Sequence, residues 1–249
     1  MNNKTFSPPR SGAPWTRDQL INLLSVAETV SDYGFIRQAS LGWLAAFSGD
    51  LPIQLLHSRA VYRDLKSDQA FDLVEKICQA DPEYIDAQDF RLELAEGKNN
   101  QAGLYGEIYA IRPRKRIFRD QGVISQLPDW AQPLTKIRSL IENGKFDQAA
   151  TLLPELLASN PDSPLVGTTH LLLLHKGSET PDMAIRQLAE HYLDKFPTCI
   201  TFNLLLADAL IKGGQSDRGV GMIHQAVSTD VTGQVAKRLW GENHPYLNL

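Results

Sequence analysis

The stretch Gly144-Lys145-Phe146-Asp147-Gln148-Ala149 places a glycine five residues before a small alanine, and Leu153, Leu156 and Pro161 follow. Positions 149, 153 and 156 are separated by four and three residues, which puts them on one face of an α-helix. Glycine suits the turn that ends a preceding helix, and proline cannot continue the following one. The stretch therefore predicts a helical hairpin whose second helix buries one apolar face.

Similar stretches recur along the chain. The small residue of each predicted hairpin is found at Ala39, Ala70, Ala102, Ala149, Ala184 and Gly219. The intervals are 31, 32, 47, 35 and 35 residues, and four of them are close to the 34-residue period of a helix-turn-helix repeat. We call each small residue, with the residues four and seven positions after it, a packing triplet. The recurrence predicts about six hairpins, each with a packing triplet buried against its neighbours.

This pattern resembles the tetratricopeptide repeat, in which a turn glycine, an alanine, an apolar residue and a proline follow in fixed order. Gly144, Ala149, Leu153 and Pro161 match that order, whereas Leu156 stands where the family has alanine. The resemblance is divergent and covers roughly residues 15–232. It implies an all-α, right-handed α-solenoid of about six helix-turn-helix repeats with a C-terminal capping helix. A single helical domain with accidental periodicity is the alternative.

The long interval divides the predicted array into two sets of hairpins. Residues 15–111 are expected to form three repeat-like hairpins after a flexible tail at residues 1–14. Residues 112–130 form a basic, irregular insertion, and residues 131–232 form three more hairpins. Residues 233–249 are expected to form the capping helix and an extended tail. That tail is either a tether packed on the last hairpin or a linker to a further domain beyond residue 249.

Composition narrows the function classes. The chain has a net charge of −4 and 43% apolar residues, as expected for a globular protein that is not a general nucleic-acid coat. Cys78 and Cys199 are its only cysteines, too few for a disulfide scaffold or a four-thiolate zinc site. Without a signal sequence or membrane-length apolar run, we expect a cytoplasmic protein with no membrane insertion. No catalytic motif stands out, so we expect neither an enzyme nor a bound cofactor or metal.

The resemblance implies that a partner peptide lies in a concave groove lined by the first helix of each unit. The family's groove position holds Arg59, Arg91 and Arg138 in three consecutive units. Arg63 follows Arg59 by one helical turn, and the adjacent Tyr62 offers a stacking ring. Guanidinium groups bind carboxylates well, so these residues predict binding of an acidic peptide. The alternative is that these arginines form ion pairs with acids on adjacent helices.

A second candidate site is the start of the insertion, where five of the eight residues at 112–119 are basic and none is acidic. The basic residues are Arg112, Arg114, Lys115, Arg116 and Arg119. With Phe118 as a stacking aromatic, they predict a contact with an anion or RNA; the alternative is a solvated surface. The first expectation is therefore a non-catalytic scaffold for protein–protein interaction, and the second is an RNA- or anion-binding regulator.

Overall fold

The computed structural model describes residues 15–64, 66–95, 101–177 and 182–246, and over these ranges the chain is all-α. The α-helices are α1 (Arg17–Thr29), α2 (Tyr33–Leu44), α3 (Leu51–Arg63), α4 (Ser67–Ala80), α5 (Ile85–Leu94), α6 (Gln101–Ile111), α7 (Gln121–Ile124), α8 (Ala131–Glu142), α9 (Phe146–Ser159), α10 (Pro164–Lys176), α11 (Asp182–Lys195), α12 (Ile200–Lys212), α13 (Ser216–Thr229) and α14 (Gln234–Trp240). A short 3-10 helix, Arg116–Arg119, lies between α6 and α7. The predicted tail at 1–14, the turn at Gly97 and the last three residues of the chain lie outside the described residues.

Two hairpins turn on glycines, as predicted. Gly144 has φ +69° and Gly214 has φ +83°, a left-handed backbone that glycine adopts without steric cost. In both hairpins the residue after the glycine donates its N–H to a carbonyl oxygen in the preceding helix at 2.8 Å. These bonds satisfy carbonyls that the ends of α8 and α12 would otherwise leave without a partner.

Three of the six predicted packing triplets are buried as predicted. They are Ala70, Val74 and Ile77 in α4, Ala149, Leu153 and Leu156 in α9, and Gly219, Ile223 and Ala226 in α13. In α11 the prediction was wrong by one residue, because the buried face consists of Ile185, Ala189 and Tyr192 and leaves His191 exposed. In α6 it was wrong at Ala102, which is exposed, although Gly106 is buried.

The first hairpin differs because its turn lies at Ser31 and not at Gly34. Ser31 has φ +58°, and Asp32 caps α2 by accepting the N–H of Phe35 at 3.0 Å. The buried face of α2 consequently starts at Ile36, three residues before the predicted Ala39. Ser31 therefore adopts here the left-handed backbone that glycine adopts in the later hairpins, and Asp32 donates its N–H to the Ala27 carbonyl of α1 at 2.8 Å.

Successive helices pack against one another along the chain. From α8 onward, alternate helices also touch in series, because α10 contacts α8 and α12, and α12 contacts α14. The largest hydrophobic core combines side chains of α3, α4 and α5 with side chains of α10 to α14. Gly49 lies so close to the end of α13 that a Cβ atom there would be 2.1 Å from the Ser228 carbonyl oxygen. The hairpins before the basic segment therefore pack directly on those after it.

Candidate interaction surface

The basic segment, residues 112–119, begins where α6 ends. Pro113 cannot continue α6, and Lys115 donates its backbone N–H to the Arg112 carbonyl at 3.1 Å to close a turn. Phe118 is 7% exposed, and its ring meets that of Tyr109 edge-on with centroids 5.0 Å apart. This contact anchors the segment on α6. It also means that Phe118 offers no exposed face to a stacking ligand, contrary to expectation.

The basic side chains of this segment divide into one paired lysine and four free arginines. Lys115 forms an ion pair with Asp89 of α5. The arginines at positions 112, 114, 116 and 119 are exposed, and none has an ion-pair partner among the described residues. Four unpaired positive charges within eight residues form a local basic surface on a chain whose net charge is negative.

Arg91, predicted to contact a peptide, lies between three helices. Its guanidinium pairs with Glu75 of α4 and with Glu107 of α6, whose carboxylate oxygen lies 2.6 Å from Arg91 Nη1. The side chain is 15% exposed and also donates to Gln88 at 3.2 Å. Two carboxylates of the fold therefore satisfy this arginine, as the ion-pair alternative anticipated.

Arg138, the next predicted groove residue, also has a carboxylate partner within the chain. Its Nη1 lies 2.6 Å from Glu83 Oε1 and 3.3 Å from the hydroxyl of Thr169. Arg138 and Glu83 are 15% and 6% exposed at their side chains. The peptide-binding role of these arginines stays a prediction, and their carboxylate-binding capacity is already used inside the molecule.

Arg59, Tyr62 and Arg63 have aromatic neighbours in place of acidic ones. The guanidinium carbon of Arg59 lies 5.7 Å from the centroid of the Phe90 ring, and Tyr62 meets the same ring edge-on at 5.9 Å. Arg63, one turn further along α3, lies over Tyr33 at 5.8 Å. Arg59 and Tyr62 are thus brought together at α5, whereas Arg63 faces α2.

A charged cluster that the sequence did not reveal holds α14 in place. Arg238 contacts Asp81 at 2.6 Å and Glu83 at 2.7 Å, and Gln234 donates to Asp81 at 2.9 Å. Because Glu83 also binds Arg138, two carboxylates and two guanidinium groups form one network of ion pairs. Arg238 lies 157 residues from Asp81. Its place in the predicted capping helix was visible in the sequence, but its partners were not.

The protonation of this cluster reflects its burial. Burial raises the pKa of Asp81, and the neighbouring Arg238 only partly opposes that shift. Burial also acts to raise the pKa of Glu83, but Arg138 and Arg238 together hold that pKa below its ordinary value. Glu83, with two guanidinium neighbours, is therefore the firmly ionised centre of the cluster.

The described part of the C-terminal tail packs on α10 and α12. Trp240 donates its indole N–H to His175 Nε2 at 3.2 Å, and the Tyr246 hydroxyl donates to Asp208. Asp208 also forms an ion pair with Lys212 at 2.8 Å. Tyr246 thus packs against the core of the last hairpins, with its ring centroid 5.1 Å from that of Trp240.

The two cysteines of the chain are buried in its core. Cys78 and Cys199 are buried; burial raises the pKa of both thiols, that of Cys199 to about 12. Their thiols are therefore protonated near neutral pH. Within the described ranges, no three His, Cys, Asp or Glu side chains are grouped so that they could hold a metal ion.

No protein-family model matches this chain, and neither does any curated protein. Among the described residues, no helix combines the length and the apolar character needed to cross a membrane. Function is therefore inferred from the geometry of this chain alone.

Proposed function

We propose that this chain is a non-catalytic scaffold of helical repeats that binds an acidic segment of a partner protein. The observation that carries the proposal is the set of four exposed arginines at positions 112, 114, 116 and 119, which have no ion-pair partner within the described ranges. Carboxylates of the fold already pair with Arg91 and Arg138, so the basic segment is the better supported binding surface. An arginine without an internal carboxylate keeps its planar set of donors free for a partner.

We further propose that the hairpins form a right-handed solenoid of about six tetratricopeptide-like repeats, capped by α14, in the cytoplasm. Support comes from the glycine turns at Gly144 and Gly214 and from the serial contacts of alternate helices from α8 onward. Repeat arrays of this kind offer extended surfaces on which neighbouring units contribute contacts to one partner. The basic segment lies between two such sets of hairpins.

RNA or another polyanion is the second candidate partner, because the same four arginines would bind phosphate groups. The burial of Phe118 removes the stacking ring that single-stranded RNA sites commonly use. The burial of Phe118 thus supports an acidic protein segment over RNA as the first candidate partner.

Fluorescence anisotropy with a labelled ten-residue oligoglutamate peptide tests the proposal. Wild type is expected to bind the oligoglutamate peptide at least tenfold more tightly than the matching oligoglutamine peptide. Its affinity for oligoglutamate should fall as the salt concentration rises. The triple variant Arg112→Ser, Arg114→Ser, Arg116→Ser should bind oligoglutamate about tenfold more weakly. The reason is the loss of several exposed ion pairs to the peptide, each of which contributes about 0.2–1 kcal/mol.

The matched control removes three exposed lysines elsewhere, Lys66→Ser, Lys136→Ser and Lys145→Ser, and should keep the affinity within about threefold. Equal losses in the two triple variants would show that only net charge matters and would reject the basic segment as the site. Submicromolar binding of oligouridylate with a steep salt dependence would favour the RNA alternative.

A further inference from the structure

A cavity of about 550 Å³ lies between the first hairpins and the C-terminal helices, and it shares no residue with the basic segment. One wall is apolar and consists of Leu41, Leu44, Leu51 and Leu73. The opposite wall comes from the turn between α11 and α12 and from α13, and it is formed by neutral polar side chains such as Thr198, Gln225 and Thr229. This volume and a mainly apolar lining are typical of small-molecule sites.

His57 supplies this cavity with one hydrogen-bond acceptor. The Ser40 Oγ atom lies 2.6 Å from the Ile36 carbonyl oxygen and 2.8 Å from His57 Nδ1. Because the hydroxyl donates its one proton to the carbonyl, we assign the proton of the imidazole to Nδ1, which donates to Ser40. Burial, assisted by Arg37, lowers the pKa of His57 and keeps the imidazole neutral. The Nε2 atom therefore carries a free lone pair, and it has no hydrogen-bond partner among the described residues.

Lys76 supplies the cavity with one positive charge. No Asp or Glu occurs among the described residues that line the cavity, and Lys76 has no ion-pair partner there or elsewhere in the described ranges. Its side chain is exposed, so the charge lies where the cavity meets solvent. An apolar space with one unbalanced cation favours an apolar ligand that carries one negative charge.

We propose that this cavity binds a small apolar monocarboxylate that also carries one N–H or O–H donor. Lys76 would contact the carboxylate, His57 Nε2 would accept the donor, and the leucine wall would hold the apolar body. The proposal goes beyond the interaction scaffold, because ligand binding here needs no partner protein.

Isothermal titration calorimetry with indole-3-propionate tests this ligand class, because the probe combines an apolar ring, an N–H donor and a carboxylate. A dissociation constant of about 1 mM or tighter is expected for a ligand of this size. Tryptamine, which has an ammonium group in place of the carboxylate, should bind at least tenfold more weakly. 3-(1-Naphthyl)propionate, which lacks the N–H group, should bind about fivefold more weakly.

Variants place the probe in the cavity. Lys76→Met should weaken binding of indole-3-propionate about fivefold, whereas the matched control Lys145→Met, on an exposed lysine outside the cavity, should leave binding unchanged. Ala80→Phe places a ring at the cavity wall and should also weaken binding. The proposal is overturned if no saturation occurs at several times the expected constant, if tryptamine binds equally well, or if Lys76→Met binds like wild type.

Discussion

Two groups of arginines in this chain have opposite surroundings. Arg91, Arg138 and Arg238 have side chains that are 15%, 15% and 33% exposed, and each contacts a carboxylate on another helix or turn. The arginines at 112, 114, 116 and 119 are exposed and have no ion-pair partner among the described residues. The same residue type thus contributes to the fold in one region and stays available to a partner in the other. The density of basic residues in the sequence does not distinguish these two roles. They are distinguished by whether the fold brings an Asp or Glu side chain next to each arginine.

The largest effect is expected among the arginines that pair with carboxylates of the fold. Arg238→Met should lower the free energy of unfolding by about 3–5 kcal/mol, because it leaves buried Asp81 and Glu83 with fewer compensating contacts. Urea denaturation followed by circular dichroism measures this loss. The neighbouring control Lys237→Met, which breaks only an exposed pair with Glu242, should change stability by about 0.5 kcal/mol or less. A loss below about 1 kcal/mol for Arg238→Met would mean that the cluster does not hold α14 in place.

The next effect concerns pH and Asp230, which caps α14 by accepting the N–H groups of Val235 and Ala236 at 3.0 and 3.1 Å. Burial raises the pKa of Asp230 to about 6, from an ordinary value of 3.8. The folded state therefore holds a proton that the unfolded chain has already released between these two values. Protonated Asp230 therefore makes its full contribution to the free energy of unfolding below pH 3.8, and this contribution is lost as pH rises through about 6.

Asp230→Asn removes that titration but keeps an acceptor for the cap. Between pH 4 and 7.5, wild type should lose up to roughly 3 kcal/mol of stability relative to this variant. Urea denaturation of both proteins across this range provides the measurement, and other titrating groups cancel in the difference. Parallel stability curves for the two proteins would show that Asp230 titrates at its ordinary pKa.

A smaller effect is expected for Arg63, which lies over the ring of Tyr33 and has no acidic partner in the part of the chain that the structure describes. Arg63→Met should cost about 0.5–1 kcal/mol, the usual range for an exposed cation–π contact. A double-mutant cycle with Tyr33→Leu isolates the pairwise part of this energy. A coupling energy of zero would place Arg63 with the free arginines of the basic segment and not with the structural ones.

The smallest effect on stability is expected for the exposed arginines of the basic segment. Arg116→Ser should change the free energy of unfolding by less than about 0.5 kcal/mol, because the Arg116 side chain is exposed and has no ion pair among the described residues. The same variant should weaken oligoglutamate binding by about threefold, the effect of one exposed ion pair. Denaturation and anisotropy measured on one preparation give both numbers. A stability loss comparable to that of Arg238→Met would remove the distinction between the two groups.

Distance along the chain explains which contacts could be foreseen. The partners of Arg91, Glu75 and Glu107, each lie 16 residues away on the flanking helices, a separation that hairpin periodicity could have indicated. The contact of Arg238 with Asp81 spans 157 residues and leaves no periodic signal. Likewise, the glycine turn at Gly144 was predictable from local backbone sterics, whereas at Ser31 a serine adopts the left-handed backbone that those sterics reserve mainly for glycine.

The sequence by itself determined the all-α class, the hairpin turns at Gly144 and Gly214 and three buried packing triplets, because these features follow from local sterics and helical periodicity. Tertiary structure alone decided which arginines are paired, why Phe118 is buried and where the cavity beside His57 and Lys76 lies. The contact of Arg238 and the cavity depend on helices that are far apart in the chain and close in space. An ion pair or a cavity wall needs atoms within a few ångströms, and no local pattern specifies which distant helix supplies them.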